Sequence, residues 1–313
     1  MLDRRTCLAI PFALGLAMLG AAPAAAQTSG ATAPMPVVAS FSILGDFVRN
    51  VGGDRIALTT LVGPDGDAHV FQPSPADAKK VAAARVVFVN GLGFEGWLGR
   101  LVKSSGTKAT TVVATKGIEP RHMEEEGGHD AHKGHAHEET DPHAWQSVAN
   151  AKVYVANIRD GLIAADPEGK AAYEANASAY LAKLDALEAE VKAAIARIPE
   201  ARRRVITSHD AFGYFSGAYG IEFIAPQGVS TEAEASAKDV ARIVRQIKAE
   251  KIPAVFMENI SDPRLVKRIA DETGAKIGGT VYSDALSDDK GPASTYIDMM
   301  QNNIREFSAA LSS

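Results

Sequence analysis

Lys170 to Ile198 reads KAAYEANASAYLAKLDALEAEVKAAIARI, a stretch free of glycine and proline. Within it Tyr173, Ala177, Tyr180, Leu184, Leu187, Val191, Ala194 and Ile198 recur at spacings of three and four, which puts them on one apolar stripe of an α-helix. The spacing predicts a single amphipathic helix over Pro167 to Ile198. At 1.5 Å per residue, about 30 residues reach about 45 Å, enough to run along two lobes. A rigid helix of that length between two bodies permits only small relative motion. A shorter helical stretch, Gln146 to Ala164, precedes it.

Outward on the N-terminal side, apolar β-rich runs alternate with helical periodicity. Val37 to Phe41, Ile56 to Val62, Val86 to Asn90 and Thr110 to Ala114 read as strands. Ile43 to Val51, Ala76 to Ala83 and Phe94 to Lys103 read as the helices between them. On the C-terminal side the plan repeats. Strands are expected at Arg204 to Ser208, Ile221 to Pro226, Ala254 to Glu258 and Lys276 to Tyr282, with helices near Ala211 to Tyr219, Ala237 to Glu250, Pro263 to Thr273 and Ser294 to Leu311. This is the β-α-β alternation of mostly parallel sheets faced by helices, so the fold class is α/β. The halves share an order of elements, not a repeat of residues. The expected division is a leader over 1–26, an N-terminal lobe over 27–165, a linking helix over 166–199 and a C-terminal lobe over 200–313.

The N-terminus carries Arg4 and Arg5, an apolar run from Leu8 to Ala22, and Ala24-Ala25-Ala26 before Gln27, in the order of a secretory leader. The paired arginines leave a twin-arginine route open beside the general secretory one. Cys7 is the only cysteine and lies inside the leader, away from the cleavage point where a lipid-anchored cysteine belongs. A product without disulfide or lipid anchor, soluble in the periplasm, is the expectation. Its stability must then come from a sizeable core, for which about 287 residues suffice. The net charge of -5 offers no basic stripe for nucleic acid, and 6% aromatic content argues against base-stacking platforms.

Five of the eight histidines crowd into Glu119 to Asp141, EPRHMEEEGGHDAHKGHAHEETD, at His122, His129, His132, His135 and His137. Neutral imidazoles beside carboxylates make this a transition-metal-attracting tract, although such a tract also serves as a solvated linker. Three further histidines and one aspartate sit in ordered motifs. His69 lies in Gly-Asp-Ala-His-Val-Phe-Gln-Pro-Ser-Pro after the second strand, and His143 in Asp-Pro-His-Ala-Trp before a helix. His209 lies in Ser-His-Asp-Ala-Phe-Gly-Tyr-Phe after the fifth strand, and Asp284 in Tyr-Ser-Asp-Ala-Leu-Ser after the eighth. Ligands of α/β sheets bind beyond the carboxyl ends of strands, where three of the four fall. Taken singly, His69 and His209 read more readily as capping or surface residues than as ligands, and Asp284 as a turn or N-cap residue.

The ordered motifs, the His-rich insertion and the long central helix together resemble the zinc and manganese solute-binding proteins of ABC importers, the ZnuA-like family, and within it the periplasmic zinc receptors of the AztC kind. The resemblance spans essentially the whole exported chain. It implies a C-clamp of two four-stranded α/β lobes joined by one rigid helix, with metal in the cleft. Carried over by motif, the ligands are His69 and His143 from the first lobe, and His209 and Asp284 from the second. Manganese-importing relatives usually have Glu at the position of His209, and three imidazoles with one carboxylate suit Zn2+. Zn2+ is therefore the expected cargo, with Mn2+ second. An ABC permease with its cytoplasmic ATPase is the expected partner, with a periplasmic zinc chaperone as candidate donor and a monomer as the expected state. The His-rich residues are assigned to an accessory, weaker site.

Two other function classes fit less well. A catalytic zinc keeps an open water position beside a base, whereas the implied set fills four positions and no His-Glu-x-x-His appears. An extracellular metal buffer or adhesin lacks a surface anchor here. Ligand imidazoles must be neutral, so affinity is expected to fall as pH drops towards ~6.5, the ordinary imidazole value.

Overall fold

The computed structural model describes residues 33–122 and 140–312. The leader with Cys7, and His129, His132, His135 and His137, lie outside the described residues. In chain order, β1 (Met35–Phe41), α1 (Ser42–Gly52), β2 (Ile56–Val62), α2 (Pro75–Ala83), β3 (Val86–Val89), α3 (Leu98–Ser105) and β4 (Thr110–Val113) build the first sheet and its helices. Two short strands follow, β5 (Arg121–His122) and β6 (Thr140–Asp141), then α4 (Val148–Ala165) and α5 (Lys170–Ala196). The second sheet comes from β7 (Arg204–Ile206), α6 (Gly213–Tyr219), β8 (Glu222–Ile224), α7 (Ala237–Glu250), β9 (Ala254–Glu258), α8 (Pro263–Thr273) and β10 (Lys276–Val281), closed by α9 (Tyr296–Leu311).

Both large sheets are four-stranded and wholly parallel, ordered β2-β1-β3-β4 and β10-β9-β7-β8. Each changes winding direction between its two central strands, which opens a crevice beyond their carboxyl ends. β3 is apolar and buried throughout, as a strand covered on both faces should be. The third pairing, β5 with β6, is antiparallel, with Arg121 opposite Asp141 and His122 opposite Thr140. It brackets the His-rich tract.

The helix over Lys170–Ala196 has the expected stripe: Tyr173, Ala177, Tyr180, Leu184, Leu187, Val191 and Ala194 are all buried, and Ile198 just beyond it as well. Burying each large member of such a stripe contributes about 1.5–3 kcal/mol. Pro167–Gly169 forms a separate 3-10 turn, so the helix starts three residues later than the periodicity suggests. α5 packs on α1, α4 and α9, and the principal core runs continuously from the first sheet through these helices to Phe256 and Val281 of the second. A second apolar cluster lies under α7 and α8. Pro34–Ser313 accordingly behaves as one compact unit.

The largest departure from expectation is at Phe94–Trp97, read as the first turn of a helix but non-helical here. Gly91, Leu92 and Gly93 have φ of +88°, +54° and +85°, a left-handed run that precludes a helix start. The buried Glu95 carboxylate then accepts from the Asn90 and Gly91 amides at 2.6 and 3.2 Å and from Ser40 Oγ at 2.6 Å. The loop is thus folded back on the end of β3, and Phe94 is presented to the seam between the sheets.

Candidate metal centre

His69 lies on the loop after β2. Its backbone N–H donates to Asp67 Oδ1 at 2.9 Å, and Trp97 Nε1 donates to the carbonyl of Ala68 at 2.7 Å, so residues 67–69 are pinned from both sides. Its imidazole meets the edge of Phe94, with ring centroids 4.7 Å apart. His143 follows Pro142, whose carbonyl accepts from Asn90 Nδ2 at 2.9 Å and from the Ala144 amide at 2.9 Å, at the start of a 3-10 turn leading to α4. His209 follows the carboxyl end of β7, and Asp284 that of β10.

These four residues converge. One ligand atom from each of His69, His143, His209 and Asp284 lies within 4.8 Å of every other, and no other such group occurs among the described residues. His69 Nε2 is 3.3 Å from His143 Nε2 and 3.1 Å from Asp284 Oδ2. Asp284 Oδ2 is 3.2 Å from His209 Nε2, and Oδ1 is 3.4 Å from His143 Nε2. For metal–nitrogen bonds of about 2.0–2.1 Å, a tetrahedron has edges of about 3.3 Å. The spacing is that of a coordination shell. Asp284 Oδ1 is buried without a hydrogen-bond donor, as an oxygen reserved for a cation would be.

Two carboxylates absent from the expected site stand behind the imidazoles. Asp141 Oδ1 lies 2.9 Å from His143 Nδ1 and accepts the His143 amide at 2.9 Å. Glu258 Oε2 lies 2.6 Å from His209 Nδ1, while Oε1 accepts the Ser208 and His209 amides at 2.6 and 3.0 Å. The Asp141 contact keeps the proton of His143 on Nδ1 and leaves its Nε2 lone pair for the ligand position, whereas Glu258 Oε2 stands at ion-pair distance from His209 Nδ1 without hydrogen-bond geometry between the two atoms. Asp141 was legible as the Asp two residues before His143 in Asp-Pro-His. Glu258 had a weaker signal, a carboxylate as the last residue of a strand.

As bare protein groups the centre is a dense alternation of charge. Burial opposes a charged His143, but Asp284 and Asp141 beside it outweigh that and raise its pKa to about 9. Burial likewise opposes a charged His209, and Glu258 and Asp284 overcome it, raising its pKa well above the ordinary value. Asp284, although burial disfavours its anion, is held well below the carboxylate range by His143 and His209. The proton competition expected at ~6.5 therefore operates at higher pH.

His122 stands apart from this centre, exposed on β5, and lines a separate cleft of about 680 Å³ with Asp141 and Asp210. The stem that carries it crosses to the second lobe. The Arg121 amide donates to Tyr214 Oη at 3.0 Å, its guanidinium lies over the Tyr214 ring at 5.8 Å, and Nε is 3.9 Å from Asp141 Oδ2. Gly213 makes this approach feasible, since a Cβ there would fall 2.4 Å from Asp141 Oδ2.

Comparison with known proteins agrees with this geometry. The family described as ZnuA, zinc-uptake complex component A, periplasmic, matches residues 37–310. The chain is 36% identical over 278 residues to the manganese-binding lipoprotein MntA of Halalkalibacterium halodurans, covering 89% of each. It is 34% identical over 268 residues to the iron-binding protein YfeA of Yersinia pestis, covering 86% of this chain and 83% of that one. The periplasmic zinc-binding protein TroA of Treponema pallidum superposes with a TM-score of 0.81 at 30% identity, covering 90% of this chain and 100% of that one. Among the described residues no helix is long and apolar enough to cross a membrane. Two parallel-sheet lobes, the long helix and four converging donor side chains have one common explanation: the chain belongs to the ZnuA family of metal ABC-transporter substrate-binding proteins, which are receptors for solute and not enzymes.

Proposed function

We propose that this chain is a periplasmic receptor that captures Zn2+ between His69, His143, His209 and Asp284 and delivers it to the permease of an ABC importer driven by a cytoplasmic ATPase. The observation that carries the reading is the donor set: three imidazole nitrogens and one carboxylate oxygen within 4.8 Å of one another. Spacing alone does not choose the metal, because octahedral Mn2+ at about 2.2 Å would have edges of about 3.1 Å. Donor chemistry supports Zn2+ over Mn2+, since imidazole-rich shells suit Zn2+ and oxygen-rich ones Mn2+. The relatives' names point to manganese, iron and zinc, so the ligands of this chain are the better guide. Cu2+ should bind tightly in vitro as well, by the Irving–Williams order.

In this reading, residues 27–165 and 200–313 form the two lobes and 166–199 the spacer between them. The protein works as a monomer, receiving zinc from solution or a chaperone. Binding quiets the loops around His69, His143 and Asp284, and the permease senses that change. His122, His129, His132, His135 and His137 form a weaker accessory site. Native mass spectrometry of the leaderless chain with competing Zn2+, Mn2+ and Cu2+ tests the cargo. One zinc should survive excess Mn2+ and disappear in His209→Ala; retention of Mn2+ over Zn2+ refutes the assignment. Deleting Glu124 to Glu139 should remove only weak binding, and loss of the tight site on that deletion would move the ligands into the tract.

A further inference from the structure

Of the four converging side chains, three are sealed: His143, His209 and Asp284 are 0% exposed, whereas His69 keeps 4% of its side-chain surface open. His69 lines a cleft of about 390 Å³ together with the buried Phe94, the exposed Gly93, Gly96 and Glu232, and the half-buried Ser230. Larger clefts of about 460 and 680 Å³ reach none of the four. Glu232 is exposed and supplies the one carboxylate that lines the His69 cleft among the described residues.

Its place is set by the same contacts that fix His69. Asp67 accepts the His69 amide on Oδ1 and the hydroxyl of Thr231, the neighbour of Glu232, on Oδ2 at 2.6 Å. The Glu232 amide in turn donates to Ser230 Oγ at 3.2 Å. The segment carrying Glu232 is thereby tied across the seam to the loop carrying His69. Gly93 and Gly96 line the same cleft, and a Cβ at either would meet nothing within 4 Å, so no side chain crowds the cleft there.

We propose that Zn2+ enters and leaves through this cleft, and that Glu232 is a transient carboxylate ligand which takes the ion from water and passes it to His69. The inference rests on the four-ligand reading of the centre. A group that holds the ion only on the way in and out lowers the barrier in both directions and leaves the equilibrium unchanged. A carboxylate also raises the local concentration of a divalent cation, by an amount that falls with ionic strength.

The test is stopped-flow measurement of Zn2+ association and of chelator-driven release, alongside equilibrium affinity and stoichiometry, on the full leaderless chain. Glu232→Gln should slow both rates by about threefold or more, keep Kd within about twofold, and flatten the salt dependence of association. Gly96→Leu, placed in open space, should slow both rates by obstruction, again at constant Kd. Glu234→Gln, which lines the separate 460 Å³ cleft, should leave the rates unchanged. Unchanged rates in Glu232→Gln and Gly96→Leu, equal slowing in Glu234→Gln, or a change of Kd confined to the off-rate overturns the proposal. Failure to bind one zinc per wild-type chain would instead overturn the reading of the centre itself.

Discussion

Trp145 Nε1 donates to the carbonyl of Ser283 at 2.9 Å, joining a residue two past His143 to the residue just before Asp284. Gln146 Nε2 shares the same carbonyl at 2.8 Å, and Tyr296 Oη returns to the Trp145 carbonyl at 2.7 Å. His143 and Asp284, one from each lobe, are therefore linked through side-chain-to-backbone hydrogen bonds that do not involve a metal. Trp145→Phe keeps the ring that packs on Phe41, Phe94 and His143 but removes the donor. A loss of about 1 kcal/mol is expected, which is about fivefold in Zn2+ affinity if it falls wholly on binding. Calorimetric titration checks it; unchanged affinity and Tm would mean that Gln146 alone holds the junction.

Glu258→Gln should lower metal affinity about 10- to 100-fold, the usual cost of losing a carboxylate behind a ligating imidazole. The amide still accepts from the Ser208 and His209 backbone, so the fold at the end of β9 persists. Circular dichroism and Tm separate the outcomes: a fully unfolded variant would show that Glu258 is needed for folding, not for tuning His209.

Proton release gives a third test. His143 titrates at about 9 in the bare protein, so at pH 7 it carries a proton that a metal must displace, while the depressed Asp284 carries none. Binding enthalpy at pH 7.5 should depend on the ionisation heat of the buffer, with at least one proton released. Affinity should climb from pH 7 towards 9 and level off for this group above it. The stability of the bare protein has the opposite sign. A folded pKa above the unfolded ~6.5 gives a contribution complete below about 6.5 and lost as pH rises through about 9. Flat affinity between pH 7 and 9 would contradict the charge alternation described above.

Gly213→Ala should weaken metal binding without touching a ligand, because its Cβ would displace Asp141 from behind His143. Overpacking of this kind costs about 1–3 kcal/mol. Gly217→Ala is the matched control. Its nearest neighbour is the end of the flexible Arg121 side chain at 3.2 Å, which can move aside. Equal losses in the two variants would point to helix propensity in place of the Asp141 contact.

The helix over Lys170–Ala196 and the eight strands were legible because their signals are local: a 3.6-residue stripe, and apolar runs cut by turns. The left-handed run at Gly91–Gly93 was not, since Leu92 at positive φ has no compositional mark and the loop depends on Glu95 returning to β3. The β5–β6 stem was hidden for a similar reason. Its two-residue strands carry no periodicity and are held by Tyr214 of another lobe. At the centre, His69, His143, His209 and Asp284 emerged from ordered motifs, whereas their convergence is a property of topology. Residues that act through them, Glu258 and Asp67, are hard to foresee because their partners are backbone amides or imidazoles chosen by the fold.

The four candidate ligands stand at positions 69, 143, 209 and 284, spread over most of the folded chain. An ion held by all of them closes three long loops at once, which is the service a disulfide performs for other exported proteins by limiting the unfolded ensemble. With a single cysteine in the whole sequence, this chain has no such covalent staple. Its resistance to proteolysis would then track metal supply, so that a starved receptor is also the more readily degraded one.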